Sequence, residues 1–194
     1  MGTKGEPPPP RAQARSATAF RAGYGAGRAS SSTSVGVETE RKFLVDGDAW
    51  RGEARARRAL RQGYLAIDGK TTVRVRTDGV SAWLTVKGAN TGLSRPEFEY
   101  AVPVRDADEL LGLCAGRLVE KIRHHVAVGE KLWEVDEFTG ANQGLVVAEL
   151  ELADPDEDFV RPEWLGPEVS GDPRYLNANL SVRPYAAWTD GSSL

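Results

Sequence analysis

From Val37 to Val45 the side chains alternate between Val, Thr or Phe and charged groups, and period-two alternation predicts a β-strand. Glu38, Glu40 and Lys42 then share one face, with successive members about 7 Å apart. Similar runs recur at Arg61–Ile67, Thr71–Thr77, Val80–Lys87, Arg95–Val104, Leu118–Val128, Leu132–Phe138 and Leu145–Leu152. Turn signals separate several of them, among them Asp68-Gly69 and Asp78-Gly79. Helical patterns are fewer. Asp48–Ala59 reads as a helix with an arginine-rich exposed side, Asp106–Cys114 as a short helix capped by Asp106, and Arg174–Ser181 as another. Asp154–Asp158 reads as a solvated acidic loop. Eight strands with hairpin-length connections and little helix predict an antiparallel barrel or sandwich.

Residues 1–36 break this pattern. They hold Pro7-Pro8-Pro9-Pro10, a Ser30–Ser34 polar tract and few large apolar side chains, which predicts a disordered tail ahead of one domain at 37–190. The tail carries +4 and the remainder −7, within a net charge of −3. An Arg- and Ser-rich, acid-poor start is compatible with an organelle transit peptide or with an extension of no function. The net charge gives no bulk attraction to nucleic acid or to an anionic membrane, and neither partner is expected. Cys114 is the single cysteine, so no internal disulfide forms and no oxidising compartment is needed. No apolar run reaches the roughly 18 residues of a membrane helix. A cytoplasmic protein, monomeric or homodimeric, is the expectation.

Charge is sorted by strand. Arg74 and Arg76 share a face, as do Lys121, Arg123 and His125; Glu97 with Glu99, Glu134 with Asp136 and Glu149 with Glu151 form acidic rows. A solvated face mixes signs, so sorted rows suggest acidic and basic strands facing a common space, which in a closed barrel is the lumen. Arg and Lys there suit phosphates, and carboxylates suit Mg²⁺ or Mn²⁺. Only six of the 25 basic residues are Lys, and Lys42, Lys87 and Lys121 fall inside these strands. His124 and His125 point to opposite faces of one strand and read as structural or surface residues. The five tryptophans and Cys114 read as packing residues.

Glu38-x-Glu40-x-Lys42 resembles the ExExK signature of the CYTH domains, or triphosphate tunnel metalloenzymes. The resemblance runs over about residues 37–185, through Arg61-Gln62-Gly63-Tyr64-Leu65, Val73-Arg74-Val75-Arg76, Leu84-Thr85-Val86-Lys87-Gly88 and Gly92-Leu93-Ser94-Arg95. It continues in Glu120-Lys121-Ile122-Arg123, Trp133-Glu134-Val135-Asp136, Glu149-Leu150-Glu151 and Tyr175-x-Asn177. The chain is most similar to short bacterial members that hydrolyse inorganic triphosphate.

The resemblance implies a mainly β fold, an eight-stranded antiparallel tunnel with a C-terminal plug helix around Tyr175–Leu180. It implies Glu38, Glu40, Glu149 and Glu151 as acids of an Mg²⁺ or Mn²⁺ site, with Asp136 in support. Lys42, Arg74, Arg76, Lys87, Lys121 and Arg123 would grip the triphosphate, with Glu97 and Glu99 ordering the basic side chains. Lys42 and Lys121 are the candidates for catalytic proton tuning through a lowered pKa. Ala178 and Asn179 stand where some members carry a plug-helix lysine, so one phosphate contact is absent. Rival readings are a nucleoside or thiamine triphosphatase, an adenylate cyclase, and a polyphosphate-binding module without turnover.

Overall fold

The computed structural model describes residues 36–188. The expected tail, all but Gly36, and the last two residues of the expected domain lie outside them. Eight strands close an antiparallel barrel: β1 (Val37–Val45), β2 (Ala54–Ile67), β3 (Thr72–Thr77), β4 (Ala82–Lys87), β5 (Ser94–Val102), β6 (Leu118–Val128), β7 (Lys131–Thr139) and β8 (Val146–Glu151). The order is β5-β4-β3-β2-β6-β7-β8-β1, and β1 returns to β5. Closure uses only the first third of β1, with Val37, Glu38 and Thr39 opposite Pro96, Arg95 and Ser94. Beyond that point the freed edge of β1 is covered by β9 (Leu165–Glu168), which pairs with Phe43 and Val45 across a bulge. An uncovered edge would expose unpaired backbone groups.

Three short helices accompany the sheet: α1 (Trp50–Glu53), α2 (Val104–Gly112) and α3 (Asn177–Val182). The helix expected over Asp48–Ala59 is therefore corrected. Only one turn is helical, and Ala54 onward belongs to the 14-residue β2. Ala and Arg favour helix locally, but Ala54–Gly63 supplies the ladder partner that β6 needs from Val126 to Leu118. α2 starts at Val104 behind Pro103, and Asp106 lies in its first turn without capping it. The predicted C-terminal helix divides into a 3₁₀ turn, Pro173–Tyr175, and α3.

The outer wall packs in two places. Phe43, Trp133, Trp164, Val135 and Leu150 form one core, reached by Trp50, with Phe43 and Trp133 rings edge to face at 5.7 Å. α2 seals the other with Val75, Ala82, Leu111 and Cys114. Gly63 allows that contact, since a Cβ there would sit 2.6 Å from Cys114 Sγ.

A third cluster lies within the barrel. Val119, Phe138 and Val147, with Leu44 beside them, stand two residues along their strands from Lys121, Asp136, Glu149 and Lys42. By period two they continue the same inward faces. Leu180 of α3, fully buried, caps them. The lumen thus passes from charged to apolar, and α3 is the plug at the apolar end.

Candidate active site

The strands bring the sorted rows around one cavity of about 760 Å³, within the range usual for small-molecule sites. Of the predicted residues, Glu38, Glu40, Lys42, Arg74, Arg76, Lys87, Arg123, Glu149 and Glu151 border it. Lys121 and Asp136 do not. They pair with each other behind Arg123, Lys121 lying over the Phe138 ring at 5.4 Å. Lys121, expected to grip the substrate, and Asp136, expected to support the metal site, both stand behind the lining residues in the structure, and each carboxylate oxygen of Asp136 accepts from Arg123 at 2.7 Å.

Cross-strand register builds the ion pairs. Lys42 on β1 faces Glu149 on β8 and bonds it at 2.5 Å, while also touching Glu40. Burial alone would lower the Lys42 ammonium, but Glu149 and Glu40 raise it above the ordinary lysine value. The lowered pKa expected for Lys42 is thus reversed. Lys121 does show the lowering, through burial first and the charge of Arg123 second. Arg123 joins three carboxylates, bonding Glu149 at 2.6 Å and Glu134 as well as Asp136. Burial opposes the ionisation of Glu134, yet a hydrogen bond from His125 and the charge of Arg123 lower it to about 2. Burial likewise opposes the ionised form of Glu149, and Lys42, Lys121 and Arg123 hold it well below the usual carboxylate range.

On the other side Lys87 Nζ donates to both oxygens of Glu38, at 2.8 and 2.6 Å, and lies 2.9 Å from Glu97. Arg95 Nε donates to Glu38 at 2.8 Å. Against the cost of burial, these two cations hold Glu38 far below its ordinary pKa, while burial and the neighbouring Glu38 raise that of Glu97. Arg76 bonds Glu99 at 3.1 Å, and Thr85 bonds both Arg74 and Glu99. One group of donors is left over: Arg74 Nε and Arg76 Nε are buried with no acceptor. A buried N–H without a partner is costly, and an entering anion would satisfy both.

Among the described residues no three carboxylate, imidazole or thiolate groups already form an ion cage. The donor chemistry nevertheless fits a hard divalent cation. Glu40 and Glu151 are direct partners on β1 and β8. Like charges so placed repel, and burial together with Glu38, Glu134 and Glu40 raises the pKa of Glu151. These are oxygen donors, the type Mg²⁺ and Mn²⁺ take; Glu40 is paired with Lys42, while Glu151 has no ion pair among the described residues.

The sequence profile of the CYTH domain matches residues 36–185. The chain belongs to the CYTH domain family. An inorganic triphosphatase of Acetivibrio thermocellus is 49% identical over 152 residues, 78% of this chain and 97% of that protein. One from Nitrosomonas europaea is 37% identical over 149 residues, 75% and 97% of the two chains. A crystal structure of an inorganic triphosphatase aligns with a TM-score of 0.57 at 34% identity, covering 75% of this chain and 94% of that one.

Within this CYTH barrel the site also uses residues outside the predicted set. Arg95 lay in a quoted motif, but its bond to Glu38 arises only because β1 and β5 close the barrel across 57 positions. Glu134 shares a face with Asp136, which was the available signal. His124 packs outside, its ring 4.8 Å from that of Trp50. His125 lies 3.6 Å from Glu134 on the inner side and does not border the cavity.

Proposed function

We propose that this CYTH protein is an enzyme that hydrolyses inorganic triphosphate to pyrophosphate and phosphate, with Mg²⁺ or Mn²⁺ as cofactor. The observation that carries this reading is the pair of buried Nε donors without an acceptor, on Arg74 and Arg76, in a lumen where Lys42, Lys87 and Arg123 are paired with carboxylates. Planar guanidinium groups match phosphate oxygens. Among the described residues Tyr64 is the one aromatic side chain bordering the cavity, and it is 4% exposed. Among those residues no pair of aromatic rings lines the cavity to hold a nucleobase or a thiamine ring, which favours the inorganic substrate. The two relatives named inorganic triphosphatases support the same class.

In this reading Arg74, Arg76, Lys87, Arg123 and Lys42 take the phosphate oxygens and stabilise charge as it moves during phosphoryl transfer. Lys42, whose proton is held tightly, acts as a fixed positive charge. Lys121 is a positioning residue that sets Asp136 and, through it, Arg123. Water attacks a terminal phosphorus, a new P–O bond forms, and the anhydride P–O bond to the leaving pyrophosphate breaks. Glu40 and Glu151, with Glu38, would hold the divalent cation. When bound, the cation supplies charge neutralisation and a more acidic water.

The test is phosphate release from inorganic triphosphate, ATP and thiamine triphosphate in parallel, with Mg²⁺, with Mn²⁺ and with chelator. Fast, metal-dependent release from the inorganic substrate, with the organic ones far slower, is expected. Equal or faster ATP turnover, or activity in chelator, overturns the reading.

A further inference from the structure

The first half of β2 carries an arginine-rich stretch that the lumen does not use. Between residues 51 and 61 the chain holds five arginines and one acid, Glu53. Arg55, Ala56, Arg57, Arg58 and Ala59 are all exposed. Arg58 bonds Asp78 at 3.0 Å, Arg61 lies 3.6 Å from Glu120, and Arg51 is paired with Glu137. Arg55 and Arg57 form no ion pair among the described residues.

The same stretch is an open strand edge. β6 pairs β2 from Ala54 to Gly63, whereas β3 joins its other side only at Arg61, opposite Thr77. Tyr64 N–H donates to Arg117 O at 3.2 Å, on the β6 side. Backbone groups alternate sides along a strand, so Arg57 and Ala59 turn their N–H and C=O away from β6, to the side where β3 has ended. Among the described residues no backbone bond outside the ladders reaches either of them. A register shift between Ala54 and Ala56 bends the strand before this point, which leaves residues 56–60 free, about 16 Å of extended chain. The freed edge of β1 is covered by β9; among the described residues no strand covers this one. Arginines here discourage pairing with a second copy, because two such edges would set like charges opposite each other. They favour a strand of opposite charge.

We propose that this edge of β2 is a docking site for an extended acidic segment of a partner protein. The segment adds a strand through the backbone of Arg57 and Ala59 and sets its carboxylates against Arg55 and Arg57. The probe is a fluorescein-labelled peptide alternating Glu and Val, read by fluorescence anisotropy at low ionic strength. The wild-type chain should bind it, and Arg57→Glu should weaken binding at least about fivefold, the size of one exposed ion pair at the upper end of its range. Ala59→Pro removes an N–H from the open side alone, where strands tolerate proline, and should weaken binding as far while thermal unfolding shows the fold retained. The same peptide N-methylated at every residue keeps its charge and has no ladder donors, so it should not bind; this arm stands even if Ala59→Pro fails to fold. Binding of the N-methylated peptide within about twofold of the unmodified one overturns the proposal, since charge alone then suffices. So does absence of binding by the wild-type chain, or unchanged binding by Arg57→Glu or by folded Ala59→Pro. Displacement of the peptide by inorganic triphosphate in chelator would put it in the lumen and overturn the proposal as well.

Discussion

Arg123→Met tests whether the charge network of the lumen is closed or open to water. Arg123 donates twice to Asp136 and once each to Glu149 and Glu134. Asp136 has no solvent exposure and Glu149 has 6%. Methionine keeps most of the stem and removes the charge. Asp136 then retains only Lys121, and Glu149 only Lys42. Breaking a buried pair while its partners stay in place costs about 3–5 kcal/mol. For a domain of this size each kcal/mol moves the midpoint by about 2–4 °C, so a fall of about 12 °C at pH 7 is expected. The pH dependence carries the sign. In the wild-type chain Glu149 and Glu134 have lowered values, Glu134 to about 2. Their contribution is present above the unfolded carboxylate value and is lost as pH falls through the folded one. In Arg123→Met that contribution disappears, and protonation relieves the stranded carboxylates. The gap between variant and wild type should therefore narrow below about pH 4.5. Thermal unfolding followed by circular dichroism at pH 7 and pH 4 reads both quantities. A shift under about 3 °C at pH 7, or a gap that widens in acid, would refute the closed network and mean that water screens these charges.

Two further outcomes follow from other parts of the molecule. Gly63→Ala places a Cβ 2.6 Å from Cys114 Sγ and 2.9 Å from Leu118 Cδ2; overpacking of this kind costs about 1–3 kcal/mol, and urea denaturation of the variant should show it, with Cys114→Ala restoring part of the loss. Because Glu38 and Glu40 are engaged by Lys87, Arg95 and Lys42, a triphosphate that draws those cations away should leave the carboxylates freer for a divalent ion. Mn²⁺ affinity, read by electron paramagnetic resonance, should rise at least about fivefold with a non-hydrolysable triphosphate analogue present, and Glu151→Gln should weaken it; equal Mn²⁺ affinity with and without the anion would rule this coupling out.

The charged rows were visible in the sequence because period two alone assigns residues to a face, and that needs no knowledge of partners. Which charge meets which was not visible, because it depends on register. Glu40 opposite Glu151 and Lys42 opposite Glu149 are separated by more than 100 residues, and a one-residue slip would turn either row outward. The same limit explains β2. Its Ala and Arg content favours a helix, and only the unpaired length of β6 requires a strand there. β9 gave no signal, since Leu165-Gly166-Pro167-Glu168 is short, unalternating and holds a Pro; it exists because β1 departs from β5 after Thr39. The apolar end of the lumen lies between these cases. Leu44, Val119, Phe138 and Val147 occupy the faces of Lys42, Lys121, Asp136 and Glu149, so the change from charge to hydrocarbon was written in each strand separately. Its meaning needed Leu180, which arrives from a helix outside every strand pattern and is fully buried there. With that end filled, the open part of the lumen is the part lined by the charged rows. Beside that apolar end Asp136 and Lys121 are 0% and 3% exposed, and Arg123 is held by its bonds to Asp136 and Glu149.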